Sequence, residues 1–194
     1  MGAAQEDFVD FVAHRSGALL RTAYLLCGGD QGAAEDLVQD VLERAYPRWQ
    51  RITGPPEAYL RAALANAATN RWRARSRRVA ETELLEFHQP RVAAHDTAIA
   101  DRDEVVRALA KVPPRMRAVL VLRFFDDLSE AQTAAALNCS VGTVKSQTSR
   151  GLDALRKVLA AGQETATGQD TPQQQQPAPA SHGARVLIAQ EGGC

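Results

Sequence analysis

Between Leu128 and Leu155 the chain reads LSEAQTAAALNCSVGTVKSQTSRGLDAL, a stretch that admits little besides two helices around a short turn. Ser129 followed three residues on by Gln132 has the form of a capping box, in which each side chain satisfies a backbone N–H at the helix start. Ala131, Ala134, Ala135 and Leu137 give this first helix a small-residue inner face. Asn138 tolerates the left-handed conformation and is placed to end it. Ser140 is a suitable cap for the second helix. There Val141, Val144, Thr148, Leu152, Leu155 and Leu159 recur at helical spacing and face inward. The opposite side carries Thr143, Lys145, Ser146, Ser149 and Arg150, with no acid until Asp153. This is the layout of a helix-turn-helix, whose second helix enters a major groove. An ordinary helical hairpin also gathers small and polar residues at its turn, so the stretch alone leaves both readings open.

The rest of the chain has the same period. Phe8, Phe11, Val12, Leu19, Leu20, Ala23 and Leu26 mark a first helix that Gly28-Gly29-Asp30 breaks. The segment AAEDLVQDVLERAY forms a second, with Ala33, Leu37, Val38, Val41, Leu42 and Ala45 inward and an acidic outer face. Pro47, Gly54, Pro55 and Pro56 then predict a loop, with Trp49 assigned to the core and Trp72 left open between core and surface. A third helix opens near Pro56, packing Tyr59, Leu60, Ala63, Leu64 and Ala67 and leaving Arg61, Asn66, Asn70, Arg73 and Arg77 outside. After an acid-rich stretch, DTAIADRDEVVRALAKV predicts a helix ahead of Pro113-Pro114, and Met116, Val119, Leu120, Leu122 and Phe124 an apolar one after it. No segment alternates at period two, so the expected fold is all-α.

The formal net charge of these 194 residues is zero, but the charges are segregated. Arg61 to Arg78 holds six arginines and no acid, whereas Glu81 to Glu104 is mostly acidic. A phosphate backbone responds to such a local patch rather than to the average. Cys27, Cys139 and Cys194 form no CxxC or Cys/His cluster, and the four histidines are dispersed. No nucleophile elbow, phosphate loop or zinc spacing is present, so no catalytic residue, metal or cofactor is expected and the chain reads as a non-enzyme. No apolar run approaches the roughly 20 residues of a membrane span, and the acidic N-terminus lacks a basic signal region; a cytoplasmic protein without membrane insertion is expected.

The stretch VPPRMRAVLVLRFFDDLSEAQTAAALNCSVGTVKSQTSRGLDALR resembles the promoter-reading C-terminal domain of extracytoplasmic-function sigma factors, in the sigma-70 superfamily of bacterial RNA polymerase. DLVQDVLERAY is similar to the most recognisable segment of their N-terminal domain. The resemblance implies two small helical domains, region 2 over 1–78 and region 4 with the helix-turn-helix over 102–161; between them the periodicity fades over 79–101, which reads as a flexible linker, and the Gln- and Pro-rich composition of 162–194 predicts a disordered tail. It implies that Asp36, Gln39 and Asp40 dock on the β′ clamp helices of core polymerase, with the β flap as a further contact. Asn66 falls at the family's base-pocket position, and Asn70, Arg71, Trp72, Arg73, Arg77 and Arg78 accompany it at the −10 element. Thr143, Lys145, Ser146, Ser149 and Arg150 match the positions facing −35 DNA. Members are often held by an anti-sigma factor. Two departures stand out: Gln147 replaces a common arginine, and Thr148 occupies an apolar position. A free-standing helix-turn-helix regulator leaves the acidic and arginine-rich helices unexplained, and a purely protein-binding adaptor leaves Lys145 and Arg150 unexplained.

Overall fold

The computed structural model describes residues 3–81 and 97–167, with side chains over 5–74 and 104–161. Most of the expected linker and nearly all of the expected tail lie outside the described residues. Helix α1 (Ala3–Leu26) ends at Gly28 and Gly29, with φ of 69° and 88°. Asp30 then caps α2 (Gln31–Ala45), accepting from the Ala33 amide at 3.0 Å. A 3-10 turn (Tyr46–Arg51) leads to α3 (Pro56–Glu81). Beyond it come α4 (Thr97–Lys111), α5 (Pro114–Leu120), a wide π turn (Val121–Phe125), α6 (Glu130–Ala136) and α7 (Val141–Thr167). The fold is all-α, in two helical regions, with no strand among the described residues.

In α1 to α3, Leu19, Leu26, Leu37, Leu60 and Leu64 are buried together, and each such side chain contributes about 1.5–3 kcal/mol on leaving water. While 52–55 remain irregular, the first part of the predicted loop after α2 is instead the 3-10 turn, because Trp49 anchors it. Its ring meets Phe8 edge-on at 4.9 Å, and its Nε1 donates to Asp7 Oδ2 at 2.8 Å. In α4 to α7, Leu109, Val112 and Leu120 pack with Leu152 and Leu155, while Val119, Ala134 and Val144 close the helix-turn-helix.

The two regions share a seam. Ala118, Val121 and Leu122 of the second are buried in the core of the first. The π turn makes this possible, since five-residue backbone spacing swings the chain so that the Asp126 amide donates to the Val121 carbonyl and the acid points at α1. Arg117 bridges the regions too, donating to Leu26 O at 3.1 Å and to Ala110 O at 2.6 Å; burial lowers its pKa, opposed by the charge of Cys27.

Several inward assignments differ from the sequence pattern. Ala131 and Ala135 are exposed, and Thr133 and Ala134 are the buried pair, because α6 is two turns long and its facing is set by α7 rather than by its own composition. Tyr59, Val141 and Phe124 stand exposed. Arg61, expected outside, turns into the seam, where its Nε lies 3.4 Å from Asp126.

Candidate polymerase and promoter surfaces

The turn of the helix-turn-helix is built as its residues dictate. The Gln132 amide donates to Ser129 Oγ at 3.1 Å and the Ser129 amide to Gln132 Oε1 at 2.8 Å, closing the capping box. Asn138 ends α6 with φ of 49°, and the Thr143 amide donates to Ser140 Oγ at 3.1 Å to start α7. Val144, fully buried, fixes the rotation of α7. Lys145, Ser146, Ser149 and Arg150 consequently stand in solvent on one face. Thr143 is half-buried beside the cap, its hydroxyl 2.9 Å from that of Ser140. Lys145 lies 3.7 Å from Glu130, whereas Arg150 has no protein partner among the described residues. The departures are both half-buried, and the Thr148 hydroxyl is enclosed without a partner.

On α2, the burial of Leu37, Val38 and Val41 turns Asp36 and Gln39 outward. Gln39 donates to Glu43 at 2.9 Å, holding the polar face in order. Asp40 is half-buried and already engaged, paired with Arg71 and lying 3.7 Å from Arg44. An apolar groove lined by Phe8, Val9, Val12, Leu42 and Tyr46 runs alongside.

The expected −10 residues do not form one open surface. Arg71 reaches back to α2, donating to Ala33 O at 3.4 Å and Asp36 O at 3.2 Å besides pairing with Asp40. Asn70 accepts from Arg73 at 3.4 Å, and Trp72 is 49% exposed next to them. Asn66 Nδ2 donates to Ala62 O at 2.9 Å and to Ala136 O at 2.7 Å. An amide has two hydrogens to give, so both are used, one by the end of α6. The Arg77 and Arg78 side chains lie outside the described residues, although α3 continues through them.

Sequence reasoning missed the polar centre of the seam. Thr22 Oγ1 donates to Asp126 Oδ1 at 2.9 Å, and Arg61 Nε lies 3.4 Å from the same oxygen while its Nη2 donates to Glu57 at 2.7 Å. Burial raises the Asp126 pKa; the Thr22 hydrogen bond and the Arg61 charge oppose this, and Glu57 and Asp127 add to it. Among the described residues no three His, Cys, Asp or Glu side chains gather as a metal would require, and no helix is long and apolar enough to cross a membrane.

The family models for sigma-70 region 2 and sigma-70 region 4 match residues 11–78 and 102–155. RNA polymerase sigma-E factor of Streptomyces coelicolor is 40% identical over 159 residues, covering 80% of this chain and 87% of the relative. The ECF RNA polymerase sigma factor SigW of Bacillus subtilis is 30% identical over 80% of this chain and 90% of its own. Among solved structures, sigma factor RpoE of Bartonella quintana, in complex with the anti-sigma factor NepR, superposes with a TM-score of 0.67 at 27% identity, covering 80% of this chain and 98% of that one.

Proposed function

The chain belongs to the extracytoplasmic-function sigma factors of RNA polymerase, and we propose how its surfaces divide the work of promoter-specific initiation. Asp36, Gln39 and Asp40 on α2 dock on the β′ clamp helices, where complementary charge fixes orientation and speeds encounter. Asn66, Asn70, Arg71, Trp72, Arg73, Arg77 and Arg78 on α3 receive the opened −10 strand: the asparagines and Trp72 offer polar and stacking contacts to bases, the arginines a track for phosphates. Lys145, Ser146, Ser149 and Arg150 read the −35 major groove, and Thr143 at the start of α7 meets a phosphate. Residues 1–78 and 102–161 are the two working units. The protein contributes binding free energy in the cytoplasm, while catalysis stays with the polymerase. The β flap and an anti-sigma factor are further partners.

The observation that carries the reading is the polar face of α7, held outward by the buried Val144 and bearing an Arg150 that has no protein partner among the described residues. Arg150→Ala is expected to keep its affinity for core polymerase and to weaken −35 duplex binding by about 1–3 kcal/mol, roughly 5- to 150-fold. Unchanged promoter use by that variant refutes the assignment of α7.

A further inference from the structure

An apolar cavity of about 650 Å³ opens between α1, α4, the π turn and α7. None of the residues proposed to meet the clamp helices or DNA lines it. Its lining includes the buried Leu109, Leu120 and Val121, while Val105, Phe124 and Phe125 around it stand 40–56% exposed. Large apolar side chains left in water around one cavity mark a binding surface. Arg21 is the one cation of the lining, and it has no hydrogen-bond or ion-pair partner among the described residues. The cavity therefore suits a short apolar segment with a carboxylate close by.

Such a segment stands in the chain itself. In residues 168–194, which lie outside the described residues, Val186, Leu187 and Ile188 are the only large apolar side chains, and Glu191 follows three positions later. Helix α7, whose Leu152 and Leu155 line the cavity, runs on to Thr167, about 18 Å past Leu155 at 1.5 Å per residue. The eighteen residues 168–185 are rich in Gln, Pro and Ala, and a chain of that length spans about 25 Å on average, enough to return. A tether whose mean span matches the distance holds its end at an effective concentration near millimolar, so a contact too weak for a separate peptide is populated within one chain. The apolar groove along α1 and α2 fits the segment less well, because Glu35 and Glu43 line it and repel Glu191. We propose that Val186, Leu187 and Ile188 occupy the cavity between α1, α4 and α7 of their own chain, with Glu191 paired to Arg21. The tail then controls access to this cleft: an apolar partner competing for it must first displace residues 186–188.

The test uses the full chain with the photo-crosslinking residue p-benzoylphenylalanine in place of the exposed Phe124, and in a control in place of the exposed Val9 on the other groove. Irradiation of an equal mixture of ordinary and nitrogen-15-labelled protein, followed by peptide mass spectrometry, should join position 124 to residues 185–191 within single-isotope chains, and position 9 should capture little of the tail. Leu187→Asp with Ile188→Asp removes two apolar side chains from a part of the chain outside the two helical cores, and should lower the yield at position 124 at least ten-fold. The same double variant should bind several-fold more of an apolar fluorescent dye. Arg21→Glu should lower the yield about two- to five-fold, as expected for an exposed ion pair, and Glu191→Arg in the same chain should restore it. Mixed-isotope crosslinks identify a second copy as the occupant and overturn the intramolecular contact. Equal tail capture at positions 9 and 124, a yield untouched by the two aspartates, or unchanged dye binding overturns the docking of 186–188. Arg21→Glu without loss, or loss without rescue, overturns the pairing with Glu191.

Discussion

Gly28 and Gly54 share a left-handed backbone but not their surroundings, and the pair measures how firmly the second region seats on the first. A Cβ at Gly54, where φ is 89°, meets nothing within 4 Å, so Gly54→Ala carries only the conformational penalty of about 1–2 kcal/mol. A Cβ at Gly28 would lie 2.8 Å from Arg117 Nη1 and 3.1 Å from the Ala110 backbone, both on the second region. Arg117 is tied to three carbonyls and α4 is packed, so neither yields freely. Overpacking adds about 1–3 kcal/mol, giving about 2–5 kcal/mol for Gly28→Ala. At roughly 2–4 °C per kcal/mol, its melting temperature should fall by about 4–20 °C, against roughly 2–8 °C for Gly54→Ala. Thermal melts followed by far-ultraviolet circular dichroism read both. Equal losses in the two variants mean that α4 and α5 do not rest on the α1–α2 turn in solution, and that no seam joins the two regions there.

Three further outcomes are expected. Because burial raises the Asp126 pKa, the native state keeps that proton to a higher pH than the unfolded chain, so its contribution to stability declines as pH rises from about 3.9 through the raised value. Asp126→Asn should remove this decline in urea titrations between pH 4 and 7; an unchanged pH slope contradicts burial of the carboxylate as its source. Asp40→Arg should abolish competition for core polymerase, while Arg71→Gln, which breaks the same surface pair, should lower stability by no more than about 1 kcal/mol and leave core binding intact; equal loss of core binding in both would mean that the pair, not the carboxylate, forms the docking site. Ser140→Ala should destabilise the start of α7 by about 0.5–2 kcal/mol and weaken −35 binding without altering core affinity; undiminished binding would separate the cap from DNA reading.

What the sequence revealed was local. The capping box at Ser129, the left-handed Asn138 and the cap at Ser140 each depend on residues within four positions, and all are present in the structure. Trp49 was legible as core because a large apolar ring beside a helix end has few other places to go, yet its 3-10 turn was not, since prolines and a glycine read as loop. The facing of α6 was misread because two turns give periodicity too little length to choose between alanine and threonine. Asp126 and Thr22 stand 104 positions apart, and nothing in either neighbourhood announces the other. Asn66 was singled out by the resemblance and the arginines of α3 by their clustering. That one of them would be covered by Ala136 and another drawn back to α2 depends on packing between elements.

That this chain confers promoter choice on RNA polymerase is tested most directly by mapping transcript 5′ ends on total genomic DNA fragments, with core polymerase alone and with core plus the purified chain. Discrete start sites are expected that appear only with the chain and share two upstream elements at constant spacing. A chain that binds core yet yields no new start sites, or starts with no shared upstream sequence, would contradict it.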